Sequence, residues 1–389
     1  MENRGICFAL VCLLALALPV PLHGNNAEVA EGHVQTGDAY YAQGQFADAE
    51  QAYKAARLIF KSTHGEDHPV IGSVCTKLGA LYDSMGDKKR ALEAQEEGLK
   101  ISKQNDGTMS EAYAGQLFNI GNIFWGQDKL PEALKRYTEA LGIYEQVLGK
   151  DSERVGATQG NIGGIQYLMG KYDAALEAQN EALRIDRQFA KSQQGQQQLA
   201  MSLFNLGHTL HKLRQVGQAE HRYKEAIFFF RKIYGKEHPT IANALSSLGN
   251  LKVDQGNLQE ALDTHLQALA MLIRTVGEDH PQTALCIYTL GTVYTKVGHH
   301  QDALESYVDA AGIYTKVLGK DAGQLGKPYM GAAQAKKALG QMNAARKAAT
   351  EALRLFKLAG EQEEARECQK FLAALDSSPG APKLPDQPA

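Results

Sequence analysis

Apolar and polar residues along this chain follow the spacing of amphipathic helices, which come in pairs joined by short polar turns. The stretch from Leu248 to Ala261 is typical, because two amphipathic segments flank a Gly256-Asn257 turn. A left-handed glycine ends a helix at little cost, so a turn glycine is expected to mark the end of each first helix. Such glycines recur at Gly44, Gly86, Gly170, Gly256, Gly298 and Gly340.

The same pattern recurs at a nearly constant interval. A small residue reappears at Gly37, Gly79, Gly121, Gly163, Gly207, Gly249, Gly291 and Ala333, and an alanine follows each of them twelve residues later. Successive small residues are 42 residues apart, except for one interval of 44. A fixed period of this size indicates a repeat array. Glycine inside a helix costs about 1 kcal/mol relative to alanine, so seven glycines at one register predict close backbone contact between the paired helices.

The pattern predicts eight helix pairs, called repeats 1 to 8 below. They are expected at 28–43 and 46–62, 69–85 and 88–104, 110–126 and 130–148, 152–169 and 172–190, 197–213 and 216–234, 239–255 and 258–276, 281–297 and 300–318, and 322–339 and 342–358. The glutamine-rich stretch 192–198 supplies the two extra residues of the long interval, and a longer loop is the simplest explanation. The array, at 25–358, is expected to be followed by a capping segment at 359–375, with a charged helix at 361–375, and by a proline-rich disordered tail at 376–389.

Recurring large residues connect these repeats to a known family. They lie three residues after the small residue, at Tyr40, Tyr82, Phe124, Leu210 and Tyr294, and four after the alanine, at Tyr53, Tyr137, Tyr223 and Tyr307. This order resembles the tetratricopeptide repeat, and linkers such as His64-Gly65-Glu66-Asp67-His68-Pro69 are similar to those of its 42-residue variant in kinesin light chains. The resemblance covers about residues 28–358. It implies an all-α, right-handed α-α superhelical solenoid of about eight helix pairs with a C-terminal capping helix. Because the His-Pro pairs recur with the repeat, their histidines are interpreted as structural.

Residues 1–24 have the layout of a secretory signal peptide. Arg4 precedes an apolar run from Ile6 to Leu18, and prolines and small residues follow. The run is shorter than the roughly 20 apolar residues that a bilayer requires, so no stable membrane insertion is expected after cleavage. An exported protein, periplasmic or extracellular, is predicted. An uncleaved signal that anchors the protein in the membrane is the alternative.

Composition and motifs argue against several functional classes. The formal net charge is -3, whereas a nucleic-acid surface would be strongly basic. Three cysteines, Cys75, Cys286 and Cys368, lie beyond the signal, an odd number that suggests small buried hydrophobes and no disulfide framework. The sequence contains no phosphate loop, GxSxG, CxxC or HExxH motif. His208 and His211 are three residues apart, but two ligands are too few for zinc. We therefore expect no catalytic residue, no cofactor and no metal.

A partner-binding face follows from the resemblance. In tetratricopeptide arrays the first helix of each pair lines the inner, concave face, and asparagines there hold the backbone of a bound peptide. An asparagine amide both donates and accepts hydrogen bonds, and aromatic side chains contribute strongly to interfaces. Offsets of −3, −2, +1 and +4 from the small residue share one helical face. The implied binding residues are Phe118, Asn119, Asn122, Trp125, Asn161, Tyr167, Phe204, Asn205, His208, His211, Asn250 and Tyr288.

Two other interpretations stay open. These asparagines can instead cap local turns while the aromatic residues pack against the next repeat. The chain would then be a structural spacer of the cell envelope that uses its convex surface or its ends, and not a module that grips a protein or peptide partner. An enzyme is the third and least supported reading, since no residue is available for chemistry.

Overall fold

A computed structural model of the chain describes residues 25–376. The predicted signal peptide and most of the predicted tail therefore lie outside the described residues. Between 25 and 376 the chain forms seventeen α-helices, one 3-10 helix and no strand. The helices are α1 (Asn25–Ala42), α2 (Phe46–His64), α3 (Pro69–Ser84), α4 (Lys88–Asn105), α5 (Glu111–Gly126), α6 (Leu130–Leu148), α7 (Glu153–Leu168), α8 (Tyr172–Phe189), α9 (Gln193–Lys212), α10 (Val216–Tyr234), α11 (Pro239–Asp254), α12 (Leu258–Val276), α13 (Pro281–Val297), α14 (His300–Leu318), α15 (Gly326–Ala338), α16 (Met342–Ala359) and α17 (Gln362–Asp376), and the 3-10 helix is Gly323–Leu325.

The described part of the chain divides between Ile143 and Tyr144 into two compact units. Within the first unit, each helix from α1 to α5 packs against the next, and α3 also contacts α5. Within the second unit, the same succession runs from α7 to α17, and α7 contacts α9 as α9 contacts α11. The first helix of one pair therefore lies beside the first helix of the next pair. We call the surface formed by these first helices the first-helix face. This stacking confirms the predicted all-α solenoid of helix pairs, with α17 packed against α16 at its end.

The expected loop at 192–198 is wrong, because α9 already begins at Gln193. The Ser192 hydroxyl caps the helix by accepting from the backbone N–H of Gly195 at 2.9 Å. A Cβ on Gly195 would lie 1.9 Å from the carbonyl oxygen of Phe189, so only glycine fits this close approach to α8. Glutamine is also a good helix former. The inserted residues consequently lengthen the helix instead of making a loop.

The recurring glycines make room for a side chain of the second helix. A Cβ on Gly207 would lie 2.7 Å from the ring of Tyr223, and a Cβ on Gly121 would lie 2.8 Å from that of Tyr137. The close contact predicted from the glycines is therefore present, but it joins a glycine to a side chain and not one backbone to another. The side chain that fills this position alternates along the chain. It is tyrosine in repeats 1, 3, 5 and 7, whereas Gln95, Gln179 and His265 take its place in repeats 2, 4 and 6.

The linker histidines are helix caps. His68, His238 and His280 precede the prolines that begin α3, α11 and α13, and the Nδ1 atom of each accepts from the backbone N–H two residues later, at 3.2–3.3 Å. Their structural interpretation is confirmed.

The three cysteines between 25 and 376 are buried and unpaired. Burial raises the pKa of the Cys75 thiol to about 12 and that of Cys286 to about 11, so both stay protonated near neutral pH. Their interpretation as small buried hydrophobes is confirmed as well.

His265 is the one imidazole that fills the position opposite a recurring glycine. It is fully buried against Gly249, and neither ring nitrogen has a hydrogen-bond partner among residues 25–376. Burial lowers its pKa from 6.5 to about 4, because the charged form would lose its hydration. Above pH 6.5 the ring is neutral in both the folded and the unfolded chain. Between pH 6.5 and 4 only the unfolded chain takes up the proton, so this residue makes folding less favourable as the pH falls.

Replacing His265 with glutamine is expected to reduce the loss of stability in acid. One pKa unit corresponds to about 1.4 kcal/mol, so the variant should retain up to about 3 kcal/mol more of its unfolding free energy than wild type by pH 4. Glutamine is the matched choice, because Gln95 and Gln179 occupy the equivalent position. Urea unfolding at pH 7.5, 5.5 and 4 measures the difference. If the unfolding free energy fell by the same amount with pH in wild type and in the variant, this account of His265 would be contradicted.

Candidate partner-binding site

Four of the predicted residues lie on α5, in the first unit. Phe118 and Trp125 both pack against Tyr137 of α6, with ring centroids 5.4 and 6.5 Å apart. The Tyr137 hydroxyl donates to the Asn122 side-chain oxygen at 2.6 Å, and the Asn119 amide reaches Gln95 of α4 at 3.5 Å. None of the four is buried. Their contacts with second helices agree with the interpretation that they pack locally, and their exposure leaves a surface that a partner can contact.

A cavity of about 320 Å³ lies on the first-helix face of the second unit. Four predicted residues line it, namely Tyr167 of α7, His208 and His211 of α9, and Asn250 of α11. They meet because they occupy offsets +1 and +4 on neighbouring first helices. The remaining lining residues are Lys212, Arg214, Tyr223, Ser247 and Asp254. This cavity brings rings, hydroxyls, amide groups and charges together at one place.

The floor of the cavity is built around His208. Its ring centroid lies 4.5 Å from that of Phe204, 5.4 Å from that of Tyr223 and 6.4 Å from that of Tyr167. The Tyr223 hydroxyl and His208 Nδ1 are 3.1 Å apart. Burial lowers the pKa of His208 to about 4, and the neighbouring His211 and Lys212 act in the same direction. The imidazole is therefore neutral near pH 7 and can donate from only one of its nitrogens.

Charged side chains also line the cavity. His211 Nε2 lies 2.9 Å from the Asp254 carboxylate, and Arg214 Nη1 lies 3.4 Å from the same oxygen. Lys212 also lines the cavity. Because the lining contains two permanent cations, Lys212 and Arg214, and one carboxylate, Asp254, its net charge is positive near neutral pH.

Sequence reasoning missed Lys212, Arg214 and Asp254. Arg214 has a φ of 60° in the turn after α9, where six of the eight repeats have glycine. A bulky residue in the left-handed region costs about 1–2 kcal/mol, and such strain is concentrated at functional positions. The arginine that replaces the turn glycine is thus the feature of the sequence that could have identified Arg214 as a candidate site residue. Asp128 occupies the same position in repeat 3, with a φ of 59°.

The other predicted residues of the second unit do not line this cavity. Phe204 packs beneath it against His208. Asn161 and Asn205 are half-buried on α7 and α9. Tyr288 of α13 packs on Tyr307 with ring centroids 5.7 Å apart and lines a separate cavity of about 420 Å³.

Between residues 25 and 376 no cluster of three or more His, Cys, Asp or Glu side chains is placed to hold a metal ion. Within the same range, every helix is too short or too polar to cross a bilayer.

Stacked helix pairs with a lined cavity on the first-helix face define a helical-repeat interaction module. The sequence profile described as "Tetratricopeptide repeat" matches residues 28–104, 113–188, 198–274 and 240–316. The chain belongs to the tetratricopeptide repeat family, whose members are typically non-enzymatic modules that bind protein or peptide partners.

Similar proteins include two kinesin light chain-related proteins. Protein KINESIN LIGHT CHAIN-RELATED 1 of Arabidopsis thaliana is 32% identical over 122 residues, which cover 31% of this chain and 20% of that protein. Protein KINESIN LIGHT CHAIN-RELATED 3 is 31% identical over 116 residues, which cover 30% and 18%. The match therefore spans about a fifth of the length of these relatives, and it confirms the predicted likeness to kinesin light chains.

Two crystal structures illustrate the fold. BtubC (BKLC) from P. vanneervenii is 25% identical with a TM-score of 0.50, over 55% of this chain and 84% of that one. The apo form of RapI is 14% identical with a TM-score of 0.61, over 89% and 97%.

Proposed function

We propose that this chain is an exported interaction protein that binds a segment of a partner protein in the cavity formed by α7, α9 and α11. The observation that carries the proposal is the convergence of Tyr167, His208, His211 and Asn250 on one cavity of about 320 Å³. Family membership supports it, because tetratricopeptide proteins generally bind protein or peptide partners.

The lining indicates what such a segment should offer. The Asn250 amide and the Ser247 hydroxyl suit the polar groups of a peptide backbone, and the rings beside them supply apolar area. Lys212 and Arg214 outnumber Asp254, so a segment with at least one acidic group is favoured over a basic one. Charge of this kind sets specificity and the rate of association more than affinity.

A spacer that uses its outer surface is the second candidate, and one observation favours it. Large apolar side chains are exposed on second helices, including Leu58 on α2, Val308 on α14 and Phe228 on α10, whose side chain is 64% exposed. Exposed apolar side chains become significant where they form a contiguous patch that a partner can cover.

Photo-crosslinking in the source cells distinguishes the two candidates. A p-benzoylphenylalanine residue at position 167 probes the cavity, and the same residue at position 228 probes the outer surface of α10. We expect the probe at 167 to crosslink a discrete partner, which mass spectrometry then identifies. Crosslinking to a discrete partner from 228 alone would reject the cavity proposal and support the spacer.

Export is proposed from residues 1–24. The charged start, the short apolar run and the small residues that follow are the features of a secretory signal. A reporter fused after Ala30 is expected to leave the cytoplasm, and deletion of 1–24 should retain it there. A full-length fusion found only in the cytoplasm would reject export without affecting the binding proposal.

A further inference from the structure

The cavity contains a buried hydrogen bond whose direction determines what the cavity can recognise. Tyr223 is fully buried on α10, and its hydroxyl lies 3.1 Å from Nδ1 of His208. Either atom can be the donor in principle, since a neutral imidazole carries its proton on one nitrogen or the other. If Tyr223 donates, the imidazole proton must be on Nε2. If Tyr223 accepts, that proton is on Nδ1 and Nε2 is an acceptor.

In two other repeats the equivalent tyrosine is the donor to the residue that follows the recurring glycine. In repeat 1 the Tyr53 hydroxyl donates to the Asp38 carboxylate at 2.7 Å, and in repeat 3 the Tyr137 hydroxyl donates to the Asn122 side-chain oxygen at 2.6 Å. Asp38, Asn122 and His208 all follow the recurring glycine by one residue. Since a carboxylate can only accept, the tyrosine of repeat 1 is necessarily the donor.

The buried Tyr223 hydroxyl needs a hydrogen-bond acceptor, and this need also indicates that Tyr223 is the donor. Among residues 25–376, its one hydrogen-bond partner is His208 Nδ1. If Nδ1 carried the proton, the buried O–H would have no acceptor, which is unfavourable for a donor removed from water. Burial also raises the pKa of the Tyr223 phenol, so the proton that it donates stays in place near neutral pH.

We propose that Tyr223 is a positioning residue that fixes the Nε2–H tautomer of His208, so that the cavity presents an N–H donor to a carbonyl or carboxylate oxygen of the bound segment. The recognition step rests on the proposed function, whereas the tautomer itself does not. Nδ1 is engaged by Tyr223, and Nε2 is the nitrogen left for a ligand in the cavity that His208 lines. Tyr223, a residue of the second helix α10, thus determines that the cavity recognises a hydrogen-bond acceptor.

Nitrogen-15 NMR of the histidine rings tests the tautomer without any partner. In the full-length protein at pH 7.5, we expect His208 to show a protonated Nε2 and an acceptor-type Nδ1. In Tyr223→Phe the phenyl ring still fills the space beside Gly207, so the helical circular dichroism should be unchanged. The two nitrogen shifts should then move toward the averaged positions of an imidazole that exchanges between tautomers. A wild-type His208 protonated on Nδ1, or ring shifts unaltered in Tyr223→Phe, would overturn the proposal.

An acceptor-only probe tests recognition. N,N-dimethylacetamide offers a carbonyl oxygen and no N–H, and its titration should shift the His208 Nε2 resonance in wild type and shift it less in Tyr223→Phe. An unmoved wild-type resonance would reject recognition even if the tautomer were as expected.

Matched variants extend this test to the partner identified by crosslinking. His208→Asn installs the residue of repeat 3 and restores an acceptor for Tyr223, so binding should stay within about threefold of wild type. His208→Leu removes both functions and should weaken binding at least about tenfold, since it leaves the buried Tyr223 hydroxyl without an acceptor and the bound segment without a donor. Equal losses in the two variants would contradict a donor role. The ring shifts and the carbonyl titration remain decisive if no partner crosslinks at all.

Discussion

The Gly207→Leu substitution is expected to destabilise repeat 5 by about 3 kcal/mol, the upper end of the usual cost of overpacking a core. A Cβ at this position would already lie 2.7 Å from the Tyr223 ring, and leucine adds three more carbon atoms. The ring cannot move aside, because it is fully buried, packs on Phe204 and is held through its hydroxyl by His208. Urea unfolding should show the loss. Hydrogen exchange should locate it in α9 and α10 and in the neighbouring repeats, because solenoid stability couples nearest neighbours.

Gly312→Leu is the matched control. Gly312 lies inside α14 and is exposed, and apart from its own helix backbone no atom lies within 4 Å of the position where its Cβ would stand. The same change there should keep or raise stability by up to about 1 kcal/mol, since leucine is a better helix former than glycine. Amide protons in α9 and α10 that stay as protected in Gly207→Leu as in wild type would show that the glycine register has been misassigned.

The second large effect is expected on partner binding. Tyr167→Ala combined with Asn250→Ala removes an aromatic ring and an amide from opposite sides of the cavity. Loss of an aromatic anchor can cost 2 kcal/mol or more, and a lost hydrogen bond to a buried group costs about 1–3 kcal/mol. The double variant should therefore bind the crosslinked partner at least about tenfold more weakly in calorimetric titration. Its helical signal should be intact, because neither residue is buried.

A control of the same chemical types is available on the outer surface. Phe228→Ala combined with Asn180→Ala also removes one aromatic ring and one amide, from exposed positions on α10 and α8. Binding should be unchanged. If this control loses affinity and the cavity variant does not, the outer surface is the binding surface and the spacer is the better description.

Most of the fold could be predicted from the period of 42 residues. Most repeats have nearly the same helix starts and ends, so an error in one would conflict with the others. The start of α9 is an exception, because it depends on the close approach of Gly195 to Phe189 in α8, a contact that the spacing of apolar residues does not report. The last repeat is another exception, because the 3-10 helix Gly323–Leu325 precedes α15 and the α-helix predicted from 322 begins only at Gly326. The alternating tyrosines were visible in the sequence, but their contact with the recurring glycines could be recognised only in the packed structure.

The candidate site could be predicted only in part. Offsets along the first helix placed Tyr167, His208, His211 and Asn250 on one helix face, and in the structure these four residues line one cavity. The offsets could not locate Arg214 or Asp254, which reach the cavity from a turn and from the end of α11. Nor could they show that Asn122 accepts from Tyr137, since fifteen residues and a turn separate the two.

The position of Trp125 gives the protein a built-in optical reporter. It is the only tryptophan of the chain, and it lies half-buried on α5, with its ring edge-on to Tyr137. Its fluorescence emission therefore reports on that part of the first-helix face alone. A ligand bound in the cavity of α7, α9 and α11 should leave the emission maximum unchanged, whereas a ligand that covers α5 should shift it to shorter wavelength. Titration of the unlabelled protein can thus distinguish binding at α5 from binding in the cavity.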